Sequence, residues 1–271
     1  MNMISIENLT RDYGDGKGVF HVSFQVGEGE VFGFLGPNGA GKTTTIRHLM
    51  GFIKAREGKC TIKNWDCWEN REKIQNNLGY IPGEISFFED MTGTEFLKFI
   101  AKYRNIGQES REKELLERFE LNPKGKIKKM SKGMKQKIGI AAAFMHDPEI
   151  LILDEPTSGL DPLMQNRFIE LITEEKKRGK TILLSSHMFE EVERTCDRVG
   201  IIRAGKLATV DSIETLRERH IRPYTVTLEN AEQAKAFAKD FGGTSSGCQA
   251  TVAAKQSLED IFMHYYGGEE R

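Results

Sequence analysis

Continuous apolar runs bounded by turn residues predict a series of β-strands along the chain. The runs ILIL at residues 150–153 and TILLS at 181–185 show no alternation, which is typical of strands buried on both faces of a parallel sheet. The predicted strands are Ile4–Leu9, Val22–Val26, Val31–Leu35, Leu78–Ile81, Ile150–Leu153, Thr181–Ser185 and Val199–Arg203. A helix is expected from about Gly41 to Gly51, directly after the third strand and a glycine-rich turn. The pattern therefore predicts an α/β fold with a mainly parallel central sheet.

Apolar positions change to helical spacing between about Glu84 and Asp147. The residues with this spacing are Phe96, Phe99, Ile100 and Tyr103, followed by Leu115, Leu116 and Phe119. We expect a helical insertion between two strands of the sheet, because positions three and four apart share one helix face.

A second, smaller pattern begins after about Arg219. Its predicted elements are a strand Tyr224–Leu228, a helix Ala231–Phe241, a Gly/Ser turn Gly242–Gly247, a strand near Gln249–Val252 and a helix Ser257–Tyr266. The sequence thus predicts a main domain over residues 1–218 and a small α+β domain or tail over 219–271.

Composition is that of a globular protein, since 38% of the 271 residues are hydrophobic and 29% are charged. The formal net charge of -1 gives no general field for nucleic acid. No apolar run approaches the roughly 20 residues of a membrane span, and the N-terminus lacks the pattern of a signal peptide. The four cysteines, Cys60, Cys67, Cys196 and Cys248, form no C-x-x-C pair, so we expect free thiols.

Residues 36–43 read GPNGAGKT and match the phosphate-binding pattern G-x-x-x-x-G-K-[ST] without a mismatch. The motif lies between a predicted strand and a predicted helix, where backbone N–H groups and the helix N-terminus can bind phosphate. Lys42 is expected at the β- and γ-phosphates, and Thr43 at Mg²⁺. The expected nucleotide contacts are Gly36, Pro37, Asn38, Gly39, Ala40, Gly41, Lys42, Thr43 and Thr44. The alternative is a plain glycine turn before a helix.

An acidic pair follows the apolar strand ILIL. Asp154 at the strand end is suited to hold the metal, and Glu155 to accept a proton from the attacking water or to orient it. The alternative is an exposed turn with two solvated acids. His187 follows another strand and is a candidate contact for the γ-phosphate, against the alternative of a structural histidine.

In their order along residues 1–215, these motifs resemble the nucleotide-binding subunits of ATP-binding cassette (ABC) transporters. Between them lies MSKGMKQK at residues 130–137, which resembles the family signature LSGGQ. Ser131 and Gly133 match it, whereas Lys132 and Met134 depart from the commonest form. Seven lysines between Lys124 and Lys137 add positive charge here. Without the other motifs, this segment would be a solvated basic start of a helix.

The resemblance implies a P-loop fold with an antiparallel β portion near the N-terminus. It also implies that two such subunits, identical or different, meet head to tail. The signature residues Ser131, Lys132, Gly133 and Met134 would then serve the ATP of the partner. Tyr13 resembles the aromatic residue that stacks on adenine, against the alternative of an ordinary tyrosine. Asp161 resembles the key residue of the loop 158–161 that couples the two sites.

One residue departs from the family in a place that matters. Gly83 stands in GYIPGE where the family usually has a glutamine that contacts Mg²⁺ and the membrane partner, and Glu84 follows it. The PGE and SKGM forms, and the C-terminal SLEDIFMHYY, resemble a subgroup of ABC-2-type, antibiotic-resistance exporters.

The function implied by the resemblance is ATP hydrolysis with Mg²⁺, driving a separate polytopic membrane subunit that docks on the helical insertion. The chain would then act at the cytoplasmic face of the membrane, without a span of its own and without binding nucleic acid. One alternative is a soluble ABC ATPase that acts on ribosomes or nucleic acid. Against it, the chain has a single cassette, and only 89 positions separate Lys42 from Ser131 (131 − 42). A P-loop kinase or GTPase is a further alternative, in which the segment DEPTSGLDP would have no role.

Overall fold

The computed structural model describes residues 2–106, 109–219, 221–255 and 257–267. The chain divides into two compact units, Met1–Val210 and Asp211–Arg271. No helix in the described part of the chain is long and apolar enough to cross a membrane.

An antiparallel sheet opens the first unit. It contains β1 (Asn2–Gly14), β2 (Lys17–Gly27), β4 (Glu57–Ile62) and β5 (Trp65–Asp66), in the order β2-β1-β4-β5. The first two strands are longer than their apolar runs, because the hairpin continues through polar residues to its turn at Asp15 and Gly16. The sequence did not predict β4 and β5, since EGKCTI has too few apolar residues to stand out.

The second sheet of this unit has the order β10-β9-β3-β8-β7-β6. Its strands are β3 (Val31–Leu35), β6 (Leu78–Ile81), β7 (Ile150–Asp154), β8 (Thr181–Ser186), β9 (Arg198–Arg203) and β10 (Lys206–Ser212). The pairs β3–β8, β3–β9, β7–β8 and β6–β7 are parallel, so the prediction of a mainly parallel central sheet is confirmed. The carboxyl ends of β3, β6, β7 and β8 therefore lie along one edge.

The helices of the first unit are α1 (Lys42–Leu49), α2 (Arg71–Asn76), α3 (Gly93–Tyr103), α4 (Glu109–Arg118), α5 (Lys132–Phe144), α6 (Pro162–Lys177) and α7 (Phe189–Thr195). Three of them, α3 to α5, lie between β6 and β7 and form the predicted helical insertion. Helix α3 begins with a capping box, in which Thr92 and Glu95 exchange side-chain and backbone hydrogen bonds. The capping box fixes the residue at which α3 begins.

The core of the first unit joins the two sheets. Phe24 of β2 stacks on Phe32 of β3 with ring centroids 4.9 Å apart, and Ile46 and Leu49 of α1 belong to the same buried cluster. The β-strand that leads into the glycine-rich turn is thus buried on all sides, which fixes where that turn begins.

The second unit contains α8 (Ile213–Arg219), β11 (Ile221–Thr227), α9 (Ala231–Asp240), β12 (Thr244–Ser246), β13 (Gln249–Lys255) and α10 (Leu258–Gly267). Its sheet has the order β11-β13-β12 and is antiparallel. Ala234 and Ala238 of α9 are buried with Ala250 of β13. The prediction of a simple turn at Gly242–Gly247 was wrong, because Thr244–Ser246 pairs with β13 despite its small polar side chains.

The cysteines are free, as predicted. Burial raises the pKa of the Cys60 and Cys196 thiols to about 12, so both are protonated and inert at neutral pH. The described residues contain no group of three or more His, Cys, Asp or Glu side chains arranged to bind a metal.

Gly79→Ala tests how closely α5 packs on β6. A Cβ atom at residue 79 would lie 2.3 Å from the carbonyl oxygen of Ala143 and 2.7 Å from Leu151 Cδ2. We expect a loss of about 1–3 kcal/mol in the free energy of unfolding, measured by urea titration. The matched control is Gly125→Ala, where a Cβ meets only Met130 Cε at 3.9 Å. Equal stability of the two variants would contradict the close approach.

Candidate nucleotide-binding site

The start of α1 is built to receive an anion. Gly41 precedes the helix with φ of +112°, and no side chain caps the helix N-terminus. The first turn also contains no acidic residue. The first backbone N–H groups of a helix have no partner within it, so here they are free to bind phosphate oxygens.

The turn before α1 leaves no room for side chains at two of its glycines. A Cβ at Gly41 would lie 2.7 Å from Val19 Cγ1, and one at Gly36 would lie 2.6 Å from the carbonyl oxygen of Ile202. The turn is therefore pressed against β2 and β9, and its shape is fixed by its surroundings.

Lys42 is the buried cation of the site, with 5% of the residue exposed. Its ammonium donates hydrogen bonds to the carbonyl oxygens of Gly36 and Pro37, the second at 3.2 Å. It also lies 3.1 Å from Glu155 Oε1, although that oxygen accepts no well-aligned hydrogen bond. The contact with Glu155 is thus an ion pair without the directionality of the other two.

Asp154 joins the ends of β7 and β8 to the start of α1. Its carboxylate is fully buried and accepts hydrogen bonds from Thr43 Oγ1 at 2.8 Å and from Ser185 Oγ. Thr43 belongs to α1, and Ser185 is the neighbour of Asp154 in the sheet register. The hydroxyl and carboxylate chosen from the sequence as metal ligands are therefore in contact.

Glu155 connects the buried cation to the half-exposed His187. Its backbone has φ of +52°, an uncommon value for a residue with a side chain, and its N–H donates to the carbonyl of Ser185 at 3.0 Å. Glu155 Oε2 forms a short hydrogen bond with His187 Nδ1. Strained backbone of this kind is concentrated at functional sites, where the surrounding structure holds it in place.

A cleft of about 740 Å³ lies along this edge of the sheet. The predicted site residues that line it are Tyr13, Pro37, Asn38, Gly39, Gly41, Lys42, Thr43, Thr44, Lys132, Glu155 and His187. Four cations (Lys17, Lys42, Arg47, Lys132) and two carboxylates (Glu84, Glu155) face it, an excess that suits an anionic ligand. Gly36 and Ala40 support the cleft from within the turn, while Ser131, Gly133, Met134 and Asp161 do not line it.

Tyr13 lies at the entrance of the cleft. About half of the residue is exposed, 51%, and the guanidinium of Arg11 lies 5.2 Å from its ring centroid. An exposed aromatic face supported by a cation is available for stacking.

The departure at Gly83 falls directly beside the buried carboxylate. A Cβ at this position would be 3.1 Å from Asp154 Oδ2, so a longer side chain here would reach the carboxylate that the sequence predicts to bind the metal. Glu84 is exposed and lines the cleft. The cleft therefore carries an acid one residue beyond the position of the usual glutamine.

The signature segment is held within its own chain. Ser131 Oγ caps α5 by accepting from the N–H of Met134 at 3.2 Å, and Lys132 Nζ donates to Ser158 Oγ at 2.9 Å. Asp161 similarly caps α6 by accepting from the N–H of Met164 at 3.0 Å. In the single chain, these residues fix helix starts beside the cleft.

The sequence missed several residues that shape the site. Ser185 holds Asp154, and the buried Gln136 donates to the carbonyl of Pro156 at 2.7 Å, which joins α5 to the loop after Glu155. Lys17, Arg47 and Tyr80 line the cleft. A serine at the end of TILLSS was the available signal, since the neighbouring parallel strand ends in Asp154.

The residues present fit a nucleoside triphosphate with Mg²⁺. A hard cation such as Mg²⁺ takes few protein oxygens and completes its shell with phosphate and water. Thr43 and Asp154 offer such oxygens, beside an uncapped helix start and a buried lysine.

The model of the family described as ABC transporter matches residues 19–158. Bacitracin transport ATP-binding protein BcrA of Bacillus licheniformis is 40% identical over 237 residues, which are 86% of this chain and 77% of that protein. Linearmycin resistance ATP-binding protein LnrL of Bacillus subtilis is 38% identical over 222 residues, 80% of this chain and 71% of that protein.

Solved structures of ABC transporter subunits match this chain as well. The ATP binding subunit of an ABC transporter superposes with a TM-score of 0.72 at 32% identity, covering 80% of this chain and 92% of that chain. A dimeric bacterial ABC transporter cassette shares the fold with a TM-score of 0.70 at 23% identity, covering 78% of this chain and 99% of the other. On these matches, the chain belongs to the ABC transporter family and carries its ATP-binding domain.

Proposed function

We propose that this chain binds and hydrolyses ATP to power a separate membrane-embedded exporter. The observation that carries the proposal is the meeting of the P-loop, Glu155 and His187 at one cleft, where the buried Asp154 accepts a hydrogen bond from the cleft-lining Thr43. Each group has a distinct place there, and together they supply the parts that phosphoryl transfer to water requires.

Phosphate binding falls to α1 and Lys42. The N–H groups at the start of α1 and the buried ammonium hold the β- and γ-phosphates, while Tyr13 stacks on the base. Thr43 and Asp154 hold Mg²⁺, which neutralises charge on the phosphate oxygens when it is bound.

Hydrolysis falls to Glu155 and His187. A water molecule attacks the γ-phosphorus, its proton goes to the Glu155 carboxylate, and the bond to the bridging oxygen of ADP breaks. His187 orients the carboxylate through its hydrogen bond to Glu155 Oε2, and in this mechanism it also contacts the γ-phosphate.

A second subunit completes the site. Among the described residues that line the cleft of one chain, Arg47 on α1 is the only arginine. Ser131, Lys132, Gly133 and Met134 of a neighbouring subunit provide the remaining donors at the start of its α5, in a homodimer or a heterodimer. Asp161, at the start of α6, lies in the loop that couples the two sites.

The membrane partner docks on the helical insertion. Phe88, Phe99 and Tyr103 form an aromatic patch there and are 56%, 43% and 70% exposed. The ring centroids of Phe88 and Phe99 lie 5.7 Å apart, and those of Phe99 and Tyr103 lie 6.5 Å apart. An exposed cluster of aromatic residues is typical of an interaction surface.

Export is supported by the printed functions of the two relatives, one named for bacitracin transport and the other for linearmycin resistance. The chain then acts at the cytoplasmic face of the membrane, bound through its partner.

Glu155→Gln tests the proposed base. Glutamine keeps the size of the side chain but accepts no proton, so turnover should fall by about 10²–10⁴ while ATP binding persists. Phosphate release and calorimetric ATP titration measure the two effects, and ultracentrifugation should show an ATP-bound dimer. The matched control is Glu170→Gln on the exposed face of α6, which should behave as the wild type. Wild-type turnover in Glu155→Gln would remove the residue from this role.

Lys42→Ala tests the phosphate cradle. The substitution removes the positive charge that attracts the γ-phosphate. Affinity for ATP should therefore fall by at least about tenfold, an effect of roughly 1.4 kcal/mol. Calorimetry measures it, with Lys113→Ala on the exposed face of α4 as the control. Unchanged ATP affinity would contradict the assignment.

Phe99→Ala tests the docking surface. The variant should lose co-purification with a polytopic membrane protein from detergent-solubilised membranes, while ATP hydrolysis by the isolated subunit is retained. Phe241→Ala, an aromatic residue of the second unit that is 63% exposed, is the control. If Phe99→Ala still co-purified with the membrane protein while Phe241→Ala did not, the interface would lie outside the aromatic patch.

A further inference from the structure

A buried carboxyl group lies beside the proposed catalytic pair, and no cation of the described residues forms an ion pair with it. Glu191 belongs to the first turn of α7 and is 1% exposed. The cations on the surrounding helices are engaged elsewhere. Arg194 pairs with Glu190 at 3.1 Å, and Lys176 of α6 pairs with Asp197 at 2.6 Å. Burial of a carboxyl group without a cation is unfavourable. This cost suggests that Glu191 has a role in the protein that offsets it.

Glu191 is hydrogen-bonded to two loops. Its Oε2 accepts from Ser186 Oγ at 2.6 Å and, at the longer distance of 3.4 Å, from Thr157 Oγ1. Ser186 immediately precedes His187, and Thr157 is two residues beyond Glu155. The carboxyl thus connects the loop after β7 with the loop after β8.

The loop that carries His187 depends on the same serine. Ser186 Oγ, while donating to Glu191, accepts from the backbone N–H of Met188 at 2.9 Å. One side chain therefore fixes the backbone on both sides of His187, and Glu191 fixes that side chain. Helix α7 has seven residues, and Val192 and Thr195 are buried together with Glu191. The helix is therefore packed in place and holds Glu191 in position.

The electrostatic setting agrees with a role at the site. Burial, with a smaller contribution from the negative charge of Glu155, raises the pKa of Glu191 to about 7. Its Oε1 has no hydrogen-bond partner within the described residues. A cavity of about 80 Å³, lined by Glu191 together with Thr157, Gln165 and Asn166, lies alongside. Strongly shifted carboxyl groups are concentrated at functional sites.

We propose that Glu191 is a positioning residue, whose hydrogen bonds to Ser186 and Thr157 hold the Glu155–His187 pair in its working geometry. The proposal rests on the proposed ATP hydrolysis for its kinetic consequence. Its structural consequence, the ordering of His187 in the absence of nucleotide, is independent of that function.

The first experiment observes His187 directly. The full chain is labelled with ¹⁵N-histidine, the His187 signals are assigned with His187→Gln, and imidazole spectra are recorded without nucleotide. In the wild type, we expect Nδ1 to show the shift of a strongly hydrogen-bonded nitrogen. Glu191→Ala should lose this shift and give the spectrum of a free imidazole. Glu191→Gln retains an oxygen that can accept from Ser186 and should keep the wild-type spectrum.

The second experiment separates kcat from KM. Misplacing a catalytic group by about 1 Å costs on the order of 10² in rate, so Glu191→Ala should lose about 10–100-fold in kcat with little change in KM. Glu191→Gln should restore most of the rate. Glu190→Ala, with its side chain exposed on the same helix, is the matched control.

Ser186→Ala keeps the test valid if Glu191→Ala does not fold. This substitution removes the hydroxyl that donates to Glu191, so it should give the same loss of the hydrogen-bonded Nδ1 shift of His187 and the same loss in kcat. Wild-type His187 spectra in Glu191→Ala or, if that variant does not fold, in Ser186→Ala would overturn the proposal. If the wild type hydrolysed no ATP, the proposed function would fail, but the spectra would still decide the role of Glu191.

Discussion

The hydrogen bonds of the buried Asp154 carboxylate are the constraint on which the site depends. A carboxylate removed from water is strongly unfavourable unless its oxygens are satisfied. Here Thr43 donates to one oxygen and Ser185 to the other. Because these donors come from α1 and β8, the acid can be buried only when the helix after β3 and the ends of β7 and β8 are in register. The fold and the site are therefore fixed by the same interaction.

The sequence predicted the parts of the fold in which burial and local preference agree. The strands Val31–Leu35 and Leu78–Ile81 have the predicted bounds, because apolar runs buried on both faces need no alternation to be recognised. The strands β4, β5 and β12 were missed because pairing with a neighbouring strand, and not their own composition, makes them strands. The contiguous motifs were easy to find in the sequence because the residues that act together in each of them are also neighbours along the chain.

Most contacts between residues that lie far apart along the chain could not be predicted from the sequence. Glu191 looks like one of several acids in FEEVERT, and only the fold shows that it is buried while Glu190 is exposed. Gln136 is hidden among lysines, and its hydrogen bond to Pro156 spans 20 positions. The predicted ligands Thr43 and Asp154 are 111 residues apart. Their contact could be expected only because parallel strands end at a common edge.

The contacts of Lys42 suggest how binding prepares the site for hydrolysis. An ammonium has three N–H donors, and here it contacts three oxygens, two from its own turn and one from Glu155. In the proposed function, a phosphate oxygen that binds Lys42 therefore displaces one of them. The carbonyls of Gly36 and Pro37 are fixed by the turn and are well aligned, whereas the contact with Glu155 is an ion pair without alignment. Glu155 is the contact that is easiest to displace, and in the proposed mechanism its release leaves the carboxylate beside the γ-phosphate, still held by His187 and free to receive the attacking water.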